Sequence, residues 1–349
     1  MTAEALPAGT APGPSGTAPG PAAPTDDRRR RRRLALLVVL IGLLAALLGL
    51  LLWYLLFRQP LPLPQIPTVP QMPGYATSIY GPDRPTGIAV SPSGDRIYVT
   101  ETGGAKVTRA YDAGGNLVAT LEPPAATGSD HVPVYAAIDP LTSEVFVSDR
   151  PRGTIYVYDR DGRYQRELLA PTEVAGWQPL GLAFDAAGTL YVTDLAGDAQ
   201  QVLVIDRSGD LVRTFGAADR LAFPNGIALD AAGNAYVTDS NHGRLLVYDP
   251  AGNLAAQVGR GAGIGNLGLP RGVAIDGRGQ VYVVDTTGQA VFVYATLRTG
   301  SERLEYLGSF GQQGIEDGAF EFPTGGATDA RGRIYVADSV NDRVQVWSY

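Results

Sequence analysis

Cysteine is missing from all 349 residues, lysine occurs once (Lys106), histidine twice (His131, His242) and methionine twice. Without cysteine there is no disulfide framework, no thiolate metal site and no cysteine nucleophile. Two imidazoles cannot by themselves fill a histidine-rich zinc site, and no G-x-S-x-G run offers a serine nucleophile on a strand-to-helix elbow. Apart from Lys106 the basic charge is all arginine, and Ala, Gly and Pro abound, a composition that suits a GC-rich genome.

What is present falls into four zones. Residues 1–25 are built of Ala, Pro, Gly and Thr, with little to bury against the entropy of ordering a chain, which predicts disorder. Together with the unbroken run Arg28 to Arg33 they form a tail of residues 1–33. Leu34 to Phe57 carry no charge, and 24 residues at about 1.5 Å each reach roughly 36 Å, enough to span a bilayer core with some tilt. Six arginines before the span and Arg58 after it predict a single-pass anchor in the plasma membrane, N-terminus in the cytoplasm and the rest outside. The span exceeds a cleavable signal core, and no A-x-A site follows it. Residues 58–73 hold prolines at 60, 62, 64, 67, 70 and 73. That spacing favours a polyproline II stalk at about 3.1 Å per residue. Beyond Arg58 the chain has 21 basic and 32 acidic groups, a net of −11, whereas a phosphate-binding surface is normally basic; nucleic acid is not the expected partner.

Residues 74–349 are self-similar. Six units open with RPTGIAVS (84), VPVYAAID (132), QPLGLAFD (178), FPNGIALD (223), LPRGVAID (269) and FPTGGATD (322). Each has a second run about ten residues on, ending at Glu101, Asp149, Asp194, Asp239, Asp285 and Asp338, which lie 48, 45, 45, 46 and 53 residues apart. Six repeats of this length, rich in β-branched and aromatic residues and divided by Asp-x-x-Gly turns, predict an all-β fold: a six-bladed propeller of four-stranded blades. The chain stops at the third strand of the last repeat. Tyr75 to Gly81, whose Ile79-Tyr-Gly81 matches the ends of other fourth strands, is therefore expected to cross over and close the ring.

At these residues the chain resembles NHL repeats, over essentially all of Tyr75 to Tyr349. The family pattern runs Pro-x-Gly-Ile-Ala-x-Asp, then Tyr-Val-x-Asp-Ser-x-Asn-x-Arg. Phe223 to Tyr248 follows it with one residue fewer before the loop Asn, and Phe322 to Trp347 keeps Asp338, Asn341 and Arg343. The first three repeats depart, with Glu101 for Asp and neither Asn nor Arg at the pattern's loop positions after Asp149 or Asp194. Six acids repeated around a ring read as a structural device, so Asp239, Asn241 and Arg244 are expected to bind their own loop and nearby backbone. The same role is expected of Asp149, Asp194, Asp285, Asp338, Asn341 and Arg343.

The resemblance implies a central channel, with Thr86, Tyr135, Leu180, Asn225, Arg271 and Thr324 looking into its mouth. Trp177, His131, His242, Arg150 and Arg152 are candidate contacts on flanking loops. Trp177 either caps the core or stacks on a ligand, and Arg271 is expected to pair with a neighbouring carboxylate. Arg150 and Arg152 read as solvated loop charges, and His242 as a loop-tip side chain. The function expected is a binding or protein-interaction module at the cell surface, taking a protein, peptide or glycan, with no catalytic residue assigned. A scaffold in an envelope assembly is the variant of that reading. The alternative is a metal-dependent hydrolase or lyase resembling gluconolactonase-like six-bladed propellers. There a Glu, an Asn and an Asp hold a divalent ion, and only Asn225 matches, so no cofactor is assigned and Ca²⁺ is the ion left open.

Overall fold

The computed structural model describes residues 26–57, 71–124, 131–260 and 263–349. The expectations of a disordered tail over 1–25 and a stiff stalk over most of 58–73 lie outside them. Asp26–Phe57 is one helix, which takes in the arginine run as well as the apolar one because arginine is itself a good helix former. Its apolar side chains are exposed from Leu34 to Leu56. A helix apolar on every face needs either a protein core or a lipid one, and Arg28–Leu56 is long and apolar enough to cross a membrane. The helix has the length and composition of a membrane anchor or of a signal sequence.

From Gly74 the chain forms six four-stranded antiparallel sheets. The inner strands are Pro85–Val90, Pro133–Ile138, Pro179–Phe184, Pro224–Leu229, Pro270–Ile275 and Pro323–Thr328. Each begins with proline, which is tolerated at the first residue of a strand because it has no N–H to give to a ladder. The second strands end on the acidic series, for example Ala235–Asp239 and Ile334–Asp338. In the sixth blade the outer strand is Gly74–Tyr80, paired with Arg343–Ser348 in a register that sets Tyr75 opposite Trp347 and Ile79 opposite Val344. The ring is thus closed by the N-terminal strand, as the repeat count predicts.

The core lies between blades rather than within them. Tyr191, Val202 and Val204 of the third blade pack against Ile227, Val237 and Leu246 of the fourth. At the closing seam Ile79, Val344 and Val346 pack with Ile88, Ile97 and Val99 of the first blade. The hairpins follow the Asp-x-x-Gly logic: Asp230 Oδ1 accepts from the N–H groups of Ala232 and Asn234, both at 2.9 Å, and Gly233 takes φ 83°.

Around the axis the inner strands approach one another through the residue two after proline, a glycine in every blade but the second, where it is Tyr135. A methyl group on Gly226 would lie 2.6 Å from the Arg271 carbonyl oxygen of the next blade, so no larger residue fits. A buried hydroxyl seals the same junction. Thr238 Oγ1 accepts from Gly226 N at 2.8 Å and donates to the Arg271 carbonyl at 2.7 Å, and Thr100 and Ser148 bridge the first two junctions likewise. In four of the six blades the residue before the acidic anchor, Thr100, Ser148, Thr193 or Thr238, is therefore part of the ring's polar closure, while Val284 and Ala337 stand there in the other two; the role is hidden in the sequence because it is also a plain strand position.

Candidate functional site

The six acidic anchors are fully or almost fully buried, and each is satisfied differently. Asp338 Oδ1 accepts from Glu321 N at 2.7 Å, while Oδ2 takes Asn341 Nδ2 at 2.9 Å, Arg343 Nε at 2.8 Å and Gln345 Nε2 at 2.9 Å. Asp239 Oδ1 accepts from Ala222 N at 2.7 Å and Oδ2 from Arg244 Nε at 2.7 Å. His242 is no idle loop tip: its Nδ1 lies 2.9 Å from the same Oδ2. Asn241 acts through its backbone, donating N–H to the Ala222 carbonyl at 3.0 Å, because it stands one position earlier in its loop than Asn341 does in the sister loop, and its side chain is exposed.

In the second blade His131, buried, sets Nδ1 2.5 Å from Asp149 Oδ2. Both imidazoles of the chain are thus held by acidic anchors. Asp194 and Asp285 accept mainly backbone N–H groups, Gln178 and Ala196 for the first, Gly268, Leu269 and Gly288 for the second. Glu101 stands on Arg109, Nε to Oε1 2.7 Å, without hydrogen-bond alignment, and burial pushes its carboxyl up against that guanidinium.

At one end of the axis these loops and the inner strands surround a cavity of about 440 Å³. Every blade contributes: Arg84, Thr86 and Thr102 from the first, Val132, Val134, Tyr135 and Arg150 from the second, Leu180 from the third, Phe223 and Asn225 from the fourth, Arg271 from the fifth, and Phe322, Thr324, Ser339 and Val340 from the sixth. The six channel positions expected from the sequence all lie here. Trp177 and His242 do not. Trp177 is buried in the core cluster with Phe146, Ile155 and Leu182, so it caps packing beneath its loop.

Two further expectations are corrected. Arg271 pairs with no carboxylate among the described residues; its guanidinium lies over the Phe322 ring, 5.2 Å from the centroid, and its Nε is buried without a hydrogen-bond partner. Arg150 is not simply a solvated charge, since it sits over the Phe223 ring at 5.7 Å and lines the cavity. Burial pushes the Tyr135 hydroxyl up to about 12, with the Arg271 charge pulling the other way.

Sequence reasoning missed Arg84, Phe223 and Phe322. All three precede the proline that opens an inner strand, and all three hold left-handed backbone, φ 49°, 61° and 58°. For side chains of this bulk that conformation costs of order 1–3 kcal/mol and persists only where neighbours over-determine it. The neighbours are specific: Gln200 Oε1 takes Phe223 N at 2.5 Å, Gln289 Oε1 takes Phe322 N at 2.8 Å, and Asp342 Oδ1 takes Arg84 N at 2.9 Å. In each case the acceptor comes from the preceding blade and stands just before its third strand. The usable signal was the residue before each repeat's proline, which varies as Arg, Val, Gln, Phe, Leu and Phe.

The ligand set does not fit a divalent cation. No Asp or Glu lines the cavity, so the Asn225 amide oxygen would be a lone neutral ligand, and among the described residues no group of three or more His, Asp or Glu side chains could hold a metal.

Comparison with known proteins agrees with this fold. Residues 221–248 match the NHL repeat family. No curated protein sequence matches the chain. Among solved structures, a catalytically inactive variant of virginiamycin B lyase from Staphylococcus aureus, with quinupristin, superposes with a TM-score of 0.55 at 15% identity, over 78% of this chain and 98% of that one. A structural genomics protein of unknown function from Bacteroides thetaiotaomicron gives a TM-score of 0.57 at 15% identity over 79% and 72%. Kuenenia stuttgartiensis hydrazine synthase gives 0.55 at 13% over 79% and 99%. At such identities the likeness is one of fold, and this chain is a six-bladed β-propeller with an NHL repeat match in its fourth blade, preceded by one apolar N-terminal helix.

Proposed function

We propose that the propeller is a binding module held at the cell surface by its N-terminal helix, with the tail in the cytoplasm, and that it captures a protein, peptide or glycan in the channel mouth. The observation that carries this reading is the cavity to which all six blades contribute, a volume in the range of small-ligand sites. Its wall of Val134, Tyr135, Leu180 and Phe223 is apolar, and Phe322 and Val340 stand 41% and 56% exposed at its rim. Large apolar side chains on show around a concave opening are characteristic of a surface that receives a partner.

The alternative, a hydrolase or lyase, draws on the lyase neighbour. The solved variant of that enzyme is described as inactive with one histidine replaced by alanine. Here both histidines lie on Asp149 and Asp239 and neither lines the mouth, which supports capture over catalysis.

Peptide and glycan arrays probed with the full chain should return ligands whose binding falls at least tenfold in Phe322→Ala. Stoichiometric Ca²⁺ or Zn²⁺ together with lactone or ester turnover would overturn the reading. Placement is separately testable because the chain has no cysteine of its own. A single Val340→Cys should react with a membrane-impermeant maleimide on intact cells, and a single Thr10→Cys only after lysis; the opposite pattern refutes the orientation.

A further inference from the structure

The charge around the mouth narrows the class of ligand. Elsewhere in the propeller arginines stand on carboxylates: Arg244 on Asp239, Arg278 on Asp276, Arg333 on Asp329, Arg343 on Asp338. Acids are plentiful, since the chain beyond Arg58 has a net charge of −11. At the mouth the pattern breaks. Arg84, Arg150 and Arg271 reach it from the first, second and fifth blades, and among the described residues none of them makes an ion pair. Three like charges gathered around one cavity, in a protein with acids to spare, leave a concentrated positive potential facing the opening.

The guanidinium groups are also held ready. Arg150 and Arg271 lie on the faces of Phe223 and Phe322, contacts that orient the planar fork while leaving its N–H edges unspent. Those two rings are in turn fixed by left-handed backbones tied to Gln200 and Gln289. The buried Arg271 Nε, without a partner, is a donor that an arriving acceptor would satisfy.

We propose that the mouth binds an anion joined to an apolar body. A carboxylate or phosphate meets the N–H edges of Arg84, Arg150 and Arg271, and the apolar part lies against Phe223, Phe322 and Val340. Paired N–H donors match the geometry of both anions. The proposal rests on the capture reading above and narrows it to ligands with an acidic group beside an apolar one.

Calorimetry on the full chain in nanodiscs, with empty nanodiscs as blank, tests it with four probes: 1-naphthylacetate, its neutral amide 1-naphthylacetamide, 1-naphthyl phosphate and inorganic phosphate. At least one naphthyl acid should bind at least tenfold more tightly than the amide, a difference of about 1.4 kcal/mol. Whichever acid is tighter names the anionic group, and inorganic phosphate should bind weakly because it lacks the apolar part. Arg271→Gln should erase the preference for acid over amide, and Phe322→Ala should weaken acid and amide together. Equal affinity for acid and amide, with both lost in Phe322→Ala, overturns the anion and leaves capture at the mouth standing. Binding untouched by either substitution, or no binding of any probe, overturns the proposed ligand class, and the arrays then decide capture alone.

Discussion

A chain beginning at Pro82 should melt about 10 °C or more below one beginning at Gly74, and should aggregate on heating. The eight residues removed include the outer strand of the sixth blade, whose pairing with Arg343–Ser348 joins the two ends of the ring in one sheet. Ile79, buried at the seam, and the edge-on contact of Tyr75 with Trp347, ring centroids 6.1 Å apart, go with it. Burying side chains of this kind is worth about 1.5–3 kcal/mol each, and in a domain of this size about 1 kcal/mol moves the melt by roughly 2–4 °C. The strand that remains would present an unpaired edge to other chains. Scanning calorimetry on the two chains checks this, and coincident melts would show that the ring holds without its clasp.

Asp338→Ala should destabilise more than any other single change in the acidic series, by about 3–5 kcal/mol, the usual cost of leaving one member of a buried ion pair alone. Arg343 is 4% exposed and would keep only the Glu316 and Ala319 carbonyls and a 3.3 Å contact to Asp317, while Glu321 N, Asn341 Nδ2 and Gln345 Nε2 lose an acceptor. Asp239→Ala should cost less, because Arg244 and His242, the latter 47% exposed, can turn to water. His242→Ala should cost least. Chemical denaturation of the three variants gives the order, and an Asp338→Ala midpoint equal to that of His242→Ala would refute it.

The fold was readable because the sequence states it six times, with a period of about 45 residues and an acid at one fixed place in each. Even the crossing of Gly74–Tyr80 followed from counting, since the last repeat ends one strand short. The channel positions followed from the resemblance. The partners of the acids did not: His131 comes to Asp149 from the lead-in to its blade, His242 to Asp239 from the loop after it, and nothing periodic marks either. The mouth was half legible for a similar reason. Arg84, Phe223 and Phe322 face it because a glutamine or aspartate of the preceding blade holds their backbones, a contact between repeats that no single repeat contains. Arg271 was expected on a carboxylate and lies on a ring instead, a choice set by the blade beside it.

The clasp also orders events in time. Gly74 pairs with Ser348, so the first strand of the propeller to be made waits for Arg343–Ser348 before it finds its partner. Local hairpins form as each repeat emerges, but this contact spans nearly the whole propeller, the kind of long-range pairing that is slow to form. Throughout synthesis Gly74–Tyr80 is a loose strand with β-forming residues on show, close in sequence to the apolar helix Asp26–Phe57. Until Trp347 has been made the ring stands open, and whatever shields that strand in the meantime decides whether the chain closes on itself or on a neighbour.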